Sequence, residues 1–93
     1  MLASNAVPIR SLGSRPLEVI QPIPAIVQEE DEVFIASFVE GNINASGENQ
    51  LDAVEMLKDM IASSFRLLVR KESVLGEEPR RQLGILRRFV RER

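Results

Sequence analysis

The sequence predicts an α+β domain: a small antiparallel three-stranded sheet covered by one long helix, in the order β-β-β-α, plus a C-terminal helix. Three observations carry this. Residues 33–39 (VFIASFV) alternate like a strand, with Phe34, Ala36 and Phe38 on one face and Val33, Ile35, Ser37 and Val39 on the other. Leu51, Val54, Leu57, Met60 or Ile61, Phe65 and Leu68 recur at three- and four-residue steps, the spacing of one apolar helical stripe. The links before and after residues 33–39 are short, which makes the strands an antiparallel meander.

Each element follows from its residues. Residues 1–16 read as a disordered tail, because Pro8, Gly13 and Pro16 interrupt any period. Residues 17–28 (LEVIQPIPAIVQ) are rich in Val and Ile but carry Pro22 and Pro24. Proline donates no ladder hydrogen bond, so the segment is expected as an edge strand or two short pieces, with Ala25 to Gln28 paired. Glu29-Glu30-Asp31-Glu32 forms an acidic connection, and without glycine a loop longer than a tight type I′ turn is expected. Gly41-Asn42 signals the next turn, and Ile43 to Ser46 a short third strand.

Asn49 suits a helix N-cap that accepts from the Asp52 amide, so a helix is expected over about residues 50–71. Arg66, Arg70 and Lys71 crowd its end, where cations suit the dipole. A linker surrounds Gly76. Pro79 fits the first turn of a second helix over roughly residues 79–91, with Leu83, Leu86 and Phe89 or Val90 on one side and arginines on the rest. The organisation is thus a tail at 1–16, a β-β-β-α domain at 17–72, and a linker with a basic C-terminal helix at 73–93. Three strands and one helix leave a sheet face bare around Val33, Ile35 and Val39. A homodimer or higher homo-oligomer, or the C-terminal helix folded across that face, is expected to cover it.

Composition narrows the chemistry. The chain has 93 residues with no Cys and no His. Thiolate nucleophiles, Cys/His zinc sites and imidazole acid–base catalysis are excluded. No acid lies on the strand at 33–39, where paired hydrolytic or magnesium-holding carboxylates would have to converge. A non-enzymatic, cytoplasmic binding protein is expected, with no catalytic residue, no metal, no cofactor and no membrane partner.

Charge is sharply divided. Residues 17–59 hold ten acids and one base, a net of −9, while residues 66–93 hold nine bases and four acids, a net of +5. Glu29, Glu30, Asp31, Glu32 and Glu40 form a candidate surface for a basic partner, to be set against a merely solvated loop. Arg80, Arg81, Arg87, Arg88 and Arg91 form a candidate nucleic-acid surface, to be set against a helix whose arginine heads reach solvent or the acidic half. With no Tyr or Trp in the chain, there is no aromatic platform for stacking bases.

Residues 25–62 resemble HicB-type antitoxins, which have a partial RNase-H-like N-terminal domain. The order is a strand, an acidic loop, an aromatic strand (Phe34, Ile35, Ala36), a short strand ending in Ser46-Gly47, and a capped helix with an acidic, Ala-containing first turn. Gly47, Glu48, Asp52, Ala53, Glu55, Leu57 and Lys58 fit the family pattern, whereas Asn42-Ile43 replaces its Gly-Cys pair and Asn49 its capping Thr. The resemblance implies that the chain binds and neutralises a small basic, RNA-cleaving, HicA-like toxin. The family's C-terminal DNA-binding module needs more chain than the roughly 20 residues after the long helix. The alternative is a small nucleic-acid-associated transcriptional regulator acting through the C-terminal arginines.

Overall fold

A computed structural model describes residues 4–13 and 16–93. Strands β1 (Ser4–Ile9), β3 (Ile23–Glu30), β4 (Val33–Phe38) and β5 (Ile43–Gly47) form a four-stranded antiparallel sheet in the order β1-β3-β4-β5. A second, two-stranded sheet pairs β2 (Leu17–Val19) with β6 (Val90–Glu92). Helix α1 (Gln50–Arg70) lies against β4 and β5, a 3-10 turn follows at Glu72–Val74, and helix α2 (Glu77–Arg87) packs beside α1. The molecule is α+β, as the sequence predicts, but its main sheet has four strands and not three.

The added strand comes from the expected tail. Ser4 to Ile9 pair with Gln28 to Ile23, and this register sets Pro8 directly opposite Pro24. Neither proline can donate, so the pair occupies a non-hydrogen-bonded site of the ladder. The β4 ladder begins only at Ile26, opposite Ser37, so the missing donor of Pro24 faces no strand. This is why β3 is a central strand despite Pro24, while Pro22 lies in the link at which the segment divides into the two pieces β2 and β3, the second of the two expectations. Ile9 and Leu12 are buried, so much of residues 1–16 belongs to the core and is not a tail. Residues 1–3, 14 and 15 of that segment lie outside the described residues.

The acidic connection is also tighter than expected. Glu30 pairs with Val33, leaving only Asp31 and Glu32 in the turn, both with positive φ (52° and 66°). That is type I′ geometry without a glycine. The register of β3 and β4 imposes it, since buried Val27 and Ala36 must lie opposite each other on the core face. At the other end of β4, a four-residue turn joins Phe38 to Ile43. Gly41 is buried there against the Phe38 ring, and a Cβ would collide with that ring.

The core lies between the sheet and the helices. Ile23, Ala25, Val27, Ala36, Phe38, Ile43 and Ala45 supply the sheet side, and Ala53, Leu57, Ile61, Phe65 and Leu68 the α1 side. Gly47 brings β5 to the start of α1; a Cβ there would sit 2.5 Å from the Ala53 nitrogen. Asn49 caps α1, its side-chain oxygen accepting from the Asp52 amide at 2.9 Å.

The C-terminal segment differs in two ways. Helix α2 ends at Arg87, and Val90–Glu92 becomes β6, so Arg91 lies on a strand and not on a helix. Leu83, Leu86, Phe89 and Val90 join the α1-side core, and Phe89 meets Phe38 edge-on at 5.3 Å between centroids. The C-terminal helix therefore does not cover the bare sheet face. That face is less apolar than expected: Ile26 and Val33 are exposed and Ile35 is half-buried, among Gln28, Ser37, Asn44 and Ser46. Val39 lies beyond β4, in the turn.

Candidate functional site

The acidic candidates fall at two ends of the sheet. Strand alternation places Glu29 on the helix side and Glu30 on the open side, with Asp31 and Glu32 at the hairpin tip. All four are exposed, and no ion pair ties them among the described residues. Glu40 follows the far end of β4, roughly 17 Å or more away by strand rise. It accepts a hydrogen bond from Arg88 and is not part of the same surface.

Sequence reasoning missed the neighbours of the hairpin tip. Phe34 pairs with Gly47, which puts the end of β5 and the start of α1 beside it. A shallow groove of about 350 Å³ there is lined by Ser46, Gly47, Glu48, Asp52, Glu55, Met56 and Asp59. Among the described residues, the tip and the groove together give one end of the molecule eight carboxylates, offset locally only by Lys58, which bonds Glu55 at 2.9 Å. The net of −9 over residues 17–59 signals this end, but only the β4–β5 register assembles it. Among the described residues no three carboxylates converge closely enough to hold a metal ion. No helix of the described residues is long and apolar enough to cross a membrane.

The arginine candidates are bound up within the fold. Arg87 makes a two-pronged pair with Glu72 at 2.6 and 2.8 Å. Arg88 bonds Glu40 and lies over the Phe89 ring. Arg91 bonds Glu18 at 2.7 Å, directly across the β2–β6 ladder. Arg80 donates to the Leu75 carbonyl at 3.0 Å, and Arg81 lies 3.5 Å from Glu78. Two of these contacts shift the titration of the groups they join. The hydrogen bond from Arg91 holds Glu18 below the ordinary carboxylate range, and that from Arg87 does the same for Glu72. The Glu72 bond in turn raises Arg87.

The arginines thus face separate places instead of one common surface: Arg80 and Arg87 the 3-10 turn and the residue after it, Arg88 the β4–β5 turn, Arg91 strand β2, and Arg81 a neighbour on α2 itself. No family model, curated protein or solved structure matched this chain.

Proposed function

We propose that this chain is a non-enzymatic docking protein of the HicB-like antitoxin kind, which uses its acidic end to bind and neutralise a small basic, HicA-like RNA-cleaving toxin in the cytoplasm. The observation that carries the reading is the charge layout. Glu29, Glu30, Asp31 and Glu32 project from the β3–β4 hairpin beside the acidic start of α1 with no ion pair among the described residues, while Arg87, Arg88 and Arg91 each pair with a carboxylate of this chain. An anionic end on a preorganised support favours a cationic partner through faster encounter, and apolar contacts then set the lifetime of the complex. Exposed Met56, in the floor of the groove, and Val33, beside the tip, offer such contacts.

The test is co-expression with the product of the adjacent reading frame. Rescue of growth with copurification of the two chains is expected. Replacing Glu29, Glu30 and Glu32 with lysine is expected to lower the association rate about tenfold or more and to flatten its salt dependence. Absence of rescue and of copurification removes the reading. The nucleic-acid alternative draws less support, because Arg87, Arg88 and Arg91 each already hold a carboxylate. It requires steeply salt-dependent binding to DNA that is lost on deleting residues 77–93.

A further inference from the structure

Helix α1 buries one face and leaves a second apolar stripe in solvent. Met56, Met60 and Leu67 are 50%, 39% and 51% exposed, and Ser63 completes a four-three-four spacing between them. That is the seam of a two-helix coiled coil, here about 16 Å long. A shallow depression at Asp59, Met60, Ser63 and Ser64 marks the middle of the seam, where small side chains let another helix approach closely.

The charges beside the stripe say what fits it. Asp59 lies in its N-terminal half with Asp52 one turn before Met56, and Arg66 lies in its C-terminal half with Arg70 just beyond Leu67. The stripe pairs Met56 with Leu67 and Met60 with Ser63 about a midpoint between Ile61 and Ala62. Asp59 with Arg66 is centred between Ala62 and Ser63, and Asp52 with Arg70 at Ile61. One two-fold axis near Ile61–Ala62 therefore serves the apolar and the ionic pairs together. We infer that α1 pairs antiparallel with α1 of a second copy of this chain, with Asp59 facing Arg66 of the other copy and Met60 packing on Ser63.

A two-fold contact of this kind is self-complementary, and the opposed helix dipoles support it. It lies on the helical side of the domain, so it also relocates the second copy that the sequence suggested for the bare sheet face. It does not rest on the toxin reading, but it covers Met56, Asp52 and Asp59 of the acidic groove, so a toxin and a second copy compete for that end. The two are still read separately, one by capture of a different protein, the other by the mass of this chain alone. The short seam belongs at the weak end of specific interfaces, so association is concentration-dependent.

Sedimentation equilibrium over a micromolar-to-millimolar series is expected to show the mass rising from 10.4 kDa toward twice that value. The paired substitution Met60→Glu with Leu67→Glu is expected to weaken association about tenfold or more, with the far-UV circular dichroism unchanged. Asp59→Arg and Arg66→Asp each set like charges together and are expected to give monomers, whereas mixing the two variants restores dimers. Arg66 is already engaged within its own chain, so dichroism is recorded for each variant to separate unfolding from dissociation. In the otherwise cysteine-free chain, Ser63→Cys is expected to form an interchain disulfide on mild oxidation and Met56→Cys is not, because only Ser63 lies near the axis. A monomer throughout the series, failure of the mixed variants to associate, or equal cross-linking at both positions would overturn the antiparallel pairing.

Discussion

The hairpin tip makes a quantitative demand on Glu32. Its φ of 66° is in the left-handed region, where a side chain costs roughly 1–2 kcal/mol. Glu32→Gly removes that cost but gives the unfolded chain more freedom, which returns roughly 0.5–1 kcal/mol. The net gain is about 0.5–1 kcal/mol. For a chain of this size that raises Tm by about 2–8 °C. Thermal dichroism and urea midpoints measure it, with an unchanged urea slope showing that only stability moved. Glu32→Ala is the control, because it removes the charge while keeping a side chain at positive φ. The reasoning fails if Glu32→Gly does not stabilise, or if alanine stabilises as much; the second result would trace the gain to charge and not to backbone.

Asn49→Ala removes the acceptor of the Asp52 amide and is expected to cost about 1 kcal/mol in a denaturant titration. Phe89→Ala empties a buried site against Phe38 and is expected to cost about 3–5 kcal/mol, enough to leave so small a domain largely unfolded by far-UV dichroism. Gly41→Ala drives a methyl into the Phe38 ring and is expected to cost about 1–3 kcal/mol by the same titration. Acid is expected to destabilise the fold through Glu18 and Glu72. Their folded-state values lie below the ordinary 4.5, so their contribution is present above that pH and is lost as pH falls through the lowered values. Urea midpoints measured against pH check this, and Glu18→Gln with Glu72→Gln should flatten the decline.

What was legible in the sequence was local. The stripe from Val54 to Leu68, the Asn49 cap, the alternation through Phe34, Ala36 and Phe38, and the short strand at Ile43 all signal themselves within a few residues. Leu51, expected at the head of the stripe, is exposed, and Ala53 is buried in its place. What was hidden depended on partners far along the chain. Pro8 and Pro24 each argue against a strand alone, yet opposite each other they share one non-hydrogen-bonded site. Asp31-Glu32 carries no turn signature, because the strands on either side impose its geometry. Strands β2 and β6 have three residues each, too few for any period to appear. The candidate site divides likewise. The run Glu29 to Glu32 was visible as charge. Its union with Glu48 and Asp52, and the separation of Glu40, required the β4–β5 register. The arginines read as one basic surface until β6 turned Arg91 toward Glu18.

The β2–β6 ladder ties Glu18 to Arg91, 73 positions apart. Closing so long a loop delays its reward until most of the chain is ordered, so this ladder belongs to the last steps of folding. Once unzipped, it frees the strand that follows α2 and uncovers the Phe89 edge of the core, while the four-stranded sheet stays paired. Hydrogen exchange should therefore find the amides of Glu18 and Arg91, the hydrogen-bonded pair of this ladder, opening together, well before Val27 and Ala36.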